Sequence, residues 1–318
     1  MTVFTAEQLD LSRLPPFRLV AVDYDAETAA LKAGVVARFN ARGVPYDVDR
    51  IETDPAMIWS EEAALRKTET LAAINDAGKR LSLTYGYGEA LDHTAATYYA
   101  DLGLRRLVLR EADPVAGTPA VMEDDERFKL RILLAPQART PGTLGGYEYQ
   151  ALTAAPWLSD ALALNYASGL CNPGQIIVVV LGRDPDPDPA AARPAEEEPA
   201  QLVLARNAIL DRNTKLGSDM VSVRAADRVP VVRGYTLGIR PGPDPALTRA
   251  QAASGYGAYL ASRRRIGKAL AESGEKAALF ASGVEYVHPQ AGTTGDVVPP
   301  ATGIVVPTLT LTAEIVGG

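Results

Sequence analysis

The stretch "ETDPAMIWSEEAALRKTETLAAINDAG", residues 52–78, decides the fold. Thr53 or Asp54 is placed to cap a helix, with Pro55 in the first turn, where its missing N–H costs nothing. Met57, Ala64, Leu71 and Gly78 recur seven apart, with Ile58, Leu65 and Ala72 beside them, which makes a stripe suited to helix packing. Thr68 and Asn75 interrupt that stripe with polar groups, and Ala and Gly permit close approach. From Pro55 to Leu81 such a helix spans about 40 Å, more than a compact domain usually needs. The seam therefore has two readings. It packs inside its own domain, or it is one member of a bundle completed by other chains.

Outward from this helix, alanines, Leu31, Val35 and Val36 mix with charges at helical spacing from Tyr24 to Phe39, predicting a preceding helix that ends near Gly43 and Pro45. After the glycines of "YGYGEALDH" a short helix is expected over about Leu91–Leu102, then a strand in "RRLVLR". The acidic "MEDDE" heads a helix through Phe128, Ile132 and Leu133 that should stop at Pro136, and "GTLGGYEYQAL" reads as a loop and a helix.

From about residue 157 the texture changes. "WLSDALALNY" and "QIIVVVLG" look like strands around the turn "CNPG", and a helix from about Glu198 to Asn213 follows. Strands are expected in "DMVSVRAAD" and "VPVVRGYTLGIR". Beyond the break "RPGPDP" come a helix carrying Tyr256, Tyr259 and Leu260, a short helix, the strand "GVEYVHP" and a final strand "GIVVPTLTLTAEIV". The fold class is α+β: a helical N-terminal part with the long helix at 1–115, a mixed α/β middle domain at 116–240, and a C-terminal α/β region at 241–318. Between Gly182 and Pro199, "RDPDPDPAAARPAEEEP" combines prolines with like charges and should form a mobile surface loop. No repeat of solenoid period is present.

Composition narrows the function. Hydrophobic residues are 47% and charged residues 22% of 318, as in an ordinary globular protein. A net charge of -7 argues against general nucleic-acid binding, which needs a positive surface to displace counterions. The single cysteine, Cys171, offers neither an internal disulfide nor a cysteine zinc site. "MTVFTAEQLDLSRLPP" lacks the basic and apolar regions of a secretory signal, and the apolar run Ile176–Leu181 is far short of the roughly 20 residues that span a bilayer. Synthesis in a cytosol and no membrane contact are expected.

Candidate chemistry is sparse. His93 and His288 are the only histidines and lie in different halves. A hydrolase built on Asp92, His93 and a serine would need a nucleophile motif that is not there. "EDDE" at 123–126 lacks the alternating ligands and turn glycine of a calcium loop, and acids at a helix start are explained by the macrodipole. "GTLGG" at 142–146 has no following Lys-Ser or Lys-Thr, so it is no phosphate loop. Arg263, Arg264, Arg265 and Lys268 fall near a helix end that favours cations, or form a patch for an acidic partner or a nucleic acid. No catalytic, cofactor or metal site is expected. A fibre or spike would need repeats or a β-rich rod.

The order of motifs adds a resemblance. "LDLSRLPP" at 9–16, "DYDAETAALKAGVVARF", the long helix through "DH" at 92–93, "EDDERFKLRILLAP", "GTLGGYEYQALTA", "RPGPDP", "AYLASRRRIGKALAESG" and "GVEYVHP" together resemble the baseplate J-like proteins of contractile-tailed bacteriophages. Glu52, Asp54 and Pro55 match the start of the family's long helix and Asn75, Asp76 and Ala77 its end. Gly88, Leu91 and Asp92 match the next turn, and Phe128, Arg131, Ala135 and Pro136 the next helix. "YYADLGL" at 98–104, the acidic loop and the final 30 residues depart from the pattern.

The resemblance implies a structural wedge component of a tail baseplate, assembled in the host cytoplasm and carried in the virion. Its implied partners are a second copy of itself, a smaller wedge protein of the tail-protein-I type, neighbouring wedges, the lysozyme-like sheath-initiating wedge protein and the central hub. Two copies and the smaller protein would share a three-helix core bundle, and C-terminal regions would dimerise to link wedges in a ring. On that reading Met57, Ile58, Ala64, Leu65, Thr68, Leu71, Ala72, Asn75 and Gly78 form the bundle seam. A genome-free contractile particle of tailocin type would use the same protein.

Overall fold

The computed structural model describes residues 18–46, 53–115, 117–182, 197–242, 244–293 and 295–316. "LDLSRLPP", Glu52 and nearly all of the acidic Pro-rich loop lie outside them. The chain forms two compact units, one within residues 7–105 and one within 106–318, and the α+β class holds.

The first unit is helical. Helix α1 (Tyr24–Ala41) begins at Asp23, whose side chain accepts from the Ala26 N–H. Helix α2 (Pro55–Arg80) begins at Asp54, which accepts from the N–H groups of Ala56 and Met57, so Asp54 rather than Thr53 is the cap. The two helices pack together. Lys32–Glu61 and Lys67–Glu27 bridge them at 2.6 and 2.5 Å. Both pairs are partly exposed and contribute at most about 1 kcal/mol each. Burying Met57 is worth about 1.5–3 kcal/mol, so packing, not charge, sets the pairing. Helix α3 (Glu89–Tyr98) is shorter than the spacing predicts. It gives way to a 3-10 turn at Ala100–Leu102, which Gly103 closes with a φ of 60° that a side chain would resist.

The second unit opens with a small antiparallel pair, β1 (Val108–Arg110) and β2 (Val121–Met122). Helix α4 (Asp125–Ala138) runs past Pro136 instead of stopping there. A proline in the last turn gives up one hydrogen bond, and the end of the helix is held by the Thr143 hydroxyl, which donates to the Gln137 carbonyl at 2.7 Å. Thr143 also caps α5 (Leu144–Ala154). Strands β3 (Leu158–Leu164) and β4 (Gln175–Gly182) pair antiparallel. Helix α6 (Glu197–Leu210) then crosses over to β5 (Met220–Ala225), which joins β4 in parallel. The apolar run in β4 is buried from Val178 to Leu181, as a central strand requires.

A second sheet has the order β7-β6-β8. Strand β6 (Asp227–Ile239) is its centre, antiparallel to β7 (Val284–Pro289) and parallel to β8 (Gly303–Ile315). Helices α7 (Pro245–Arg263) and α8 (Glu272–Leu279) supply Ala252, Tyr256 and Leu279 to a core with Tyr235, Leu237 and Ile239. The "RPGPDP" break lies between β6 and α7. The two sheets share a core in which Val179 and Leu181 of β4 meet Ile266 and Ile304. Asp160 of β3 accepts from the Ile266 N–H at 3.0 Å, and Arg264 donates to the Gly182 carbonyl at 2.8 Å.

Candidate assembly surface

Helix α2 presents two stripes. The inner one, Met57, Ser60, Ala64, Thr68, Leu71, Asn75 and Gly78, advances by threes and fours. Met57, Ser60, Ala64, Asn75 and Gly78 are buried, and Thr68 and Leu71 half-buried. Asn75 belongs to this packing: its Oδ1 accepts from the N–H groups of Leu19 and Val20 at 2.9 and 3.0 Å, and its Nδ2 donates to the Val20 carbonyl at 2.9 Å. These positions are thus packed within their own chain. The neighbouring seam positions Ile58, Leu65 and Ala72 are exposed.

A second stripe, about a third of a turn away, is not singled out by the seven-residue spacing. Trp59, Ala63, Thr70, Ile74, Ala77 and Leu81 follow the same alternation of threes and fours and are all exposed, Trp59 by 73% and Leu81 by 79%. Arg66 falls within the stripe and is held by Glu62 one turn away at 2.8 Å. Large apolar side chains repeated on one outward helix face are a groove-filling pattern. The signal was available in the sequence as a second period offset by about a third of a turn.

The other candidates have local structural partners. In "EDDE" Glu123 is buried and pairs with Arg127 and Arg131, the latter at 2.6 Å. Asp124 caps α4, Asp125 pairs with Arg106 at 2.6 Å, and Glu126 pairs with Lys129 at 3.1 Å. Arg127 also donates to the carbonyls of Leu152, Ala155 and Leu158, closing the end of α5. Burial pulls its guanidinium down to about 10, against the raising field of Glu123. Arg264 braces β4, and the glycines of "GTLGG" let α5 pack against Gln137. His93 is exposed on α3, and His288 sits on β7 against the ring of Tyr286. Among the described residues no helix is long and apolar enough to cross a membrane.

Comparison with known proteins finds a domain similarity over this helical region. The Baseplate J-like N-terminal domain matches residues 52–113, from the start of α2 through β1. The chain is also 28% identical over 291 residues to "Baseplate protein J" of Escherichia phage P2, covering 88% of this chain and 89% of that protein. The chain is thus similar to baseplate J-like proteins, in the domain match over part of the first unit and in the relative's sequence over most of its length.

Proposed function

We propose that the protein is a structural, non-enzymatic component of a contractile phage tail baseplate, a wedge protein located in the virion. The observation that carries this reading is the solvent-facing apolar stripe on α2, inside the family-matched domain and on a helix whose other face is already packed. On this reading residues 1–115 carry the bundle role. Trp59, Ile74 and Leu81 on one side of the packed face, and Ile58, Leu65 and Ala72 on the other, meet a second copy of the chain and a smaller wedge protein. The buried seam residues, Met57, Ala64, Asn75 and Gly78 with Thr68 and Leu71, hold α2 in the posture that presents this face. Residues 116–240 form the connecting body, and 241–318 associate with a neighbouring wedge. An assembly role of this kind asks for extended, register-specific contacts and no reaction centre.

Co-expression with the smaller wedge protein, followed by light scattering, tests the reading. The expected species holds two copies of this chain and one of the partner, and it is lost in Trp59→Glu with Leu81→Glu. A wild-type chain indifferent to the partner, or a complex untouched by the double substitution, would falsify it.

A further inference from the structure

The outer edge of β8 carries no strand among the described residues. A free edge exposes a row of N–H and C=O groups that can pair with another chain, and proteins commonly guard such edges with charge, proline or short length. Strand β5 has six residues and carries Arg224, and β7 has six and carries Glu285 and His288. Strand β8 has thirteen and no charged residue from Gly303 to Ala313. Pro307 guards only its first part. Beyond it, "TLTLTAEI", residues 308–315, alternates cleanly, and the carboxylate of Glu314 is engaged by the Tyr286 hydroxyl at 2.5 Å. Leu309 and Leu311 lean on the core around Tyr235 and Leu237 yet stay only half-buried, so the core at this rim is incompletely covered.

The pattern is also self-complementary. In an antiparallel pair with a two-fold axis at Thr310, Thr308 faces Thr312 on the outer surface and Leu309 faces Leu311 on the core side. Like thus meets like on both faces, and no charge opposes a like charge. We propose that residues 308–312 of β8 pair antiparallel with the same residues of a second copy, joining two three-stranded sheets into one continuous sheet. This specifies the C-terminal self-association that the baseplate reading anticipates, and rests on it.

Sedimentation equilibrium of the purified full chain tests the proposal. The wild type is expected to dimerise. Thr310→Lys, on the exposed face and opposite itself across the axis, should weaken dimerisation at least about tenfold while circular dichroism and the melting midpoint stay put. Thr308→Lys with Thr312→Glu sets opposite charges face to face and should dimerise. Thr308→Lys with Thr312→Lys should not. Both double variants lose the same Thr312 contact to Gln290, so their difference reports only the pairing. A dimer indifferent to Thr310→Lys and to the sign of the 308/312 charges overturns the β8 edge but leaves self-association standing. A chain that remains monomeric at every concentration overturns both, and the co-assembly experiment judges the baseplate reading separately.

Discussion

Asn75 engages Val20 as a neighbouring strand would. Its side-chain oxygen accepts from the Val20 N–H at 3.0 Å while its side-chain nitrogen donates to the Val20 carbonyl at 2.9 Å. A residue that looks like a polar break in an apolar seam is therefore the clasp holding the chain ahead of α1 against the end of α2.

Asn75→Leu is expected to destabilise the first unit by about 1–3 kcal/mol, because it strands main-chain groups that water replaces only where they are exposed. Hydrogen exchange should rise at Leu19 and Val20 before it rises in the body of α1. Unchanged protection there would show that the clasp contributes nothing.

The two stripes of α2 should separate by mutation. Leu71→Asp places a charge on the packed face and is expected to cost about 1–3 kcal/mol in the isolated chain, whereas Trp59→Glu should stay within about 0.5 kcal/mol. Urea midpoints of the purified variants check this. If Trp59→Glu proved the more damaging in the isolated chain, the outward stripe would be part of its own core.

Glu275 is fully buried and serves three groups at once. Arg233 pairs with it at 2.6 Å, and the hydroxyls of Tyr235 and Tyr256 donate to it at 3.0 and 2.6 Å. Glu275→Ala leaves a buried guanidinium without its counter-charge and is expected to cost about 3–5 kcal/mol. Glu275→Gln, which keeps the shape and part of the hydrogen bonding, should cost less. Thermal unfolding of the two variants gives the comparison, and equal losses would count against the charge as the cause.

Tyr147 makes stability sensitive to alkali. Burial first, and the hydrogen bond to Asp219 next, push its phenol from 10 up to about 12. The folded form holds its proton longer than the unfolded chain does. This contribution is therefore fully present below pH 10 and is lost as pH rises from about 10 to 12. Burial and then the field of Glu275 push Tyr235 further in the same direction. Tyr147→Phe should flatten the fall in denaturant midpoint between pH 10 and 11.5. An unchanged slope would assign the alkaline loss to Tyr235 and Tyr256 alone.

Most elements were legible in the sequence because their signals are local. Asp54 and Pro55 start α2, Thr143 caps α5, and "QIIVVVLG" is too apolar and β-branched to be anything but a buried strand. The misreadings also have local causes. Pro136 sits where a helix can lose one bond without ending, and Gly103 lets the chain turn before Leu102 can continue α3.

What the sequence by itself determined is the α+β order of elements, the long capped helix and the family resemblance, since capping, periodicity and motif order depend only on near neighbours along the chain. Tertiary structure alone decided which face of α2 is spent inside the chain, because two apolar stripes on one helix look alike until α1 covers one of them. It likewise decided that β8, last in sequence, lies at a sheet edge while β6 lies at the centre, and that Glu123 and Asp125 of "EDDE" serve arginines. Those outcomes depend on contacts between residues far apart in sequence, such as Asn75 with Val20 and Arg233 with Glu275, which no local spacing encodes.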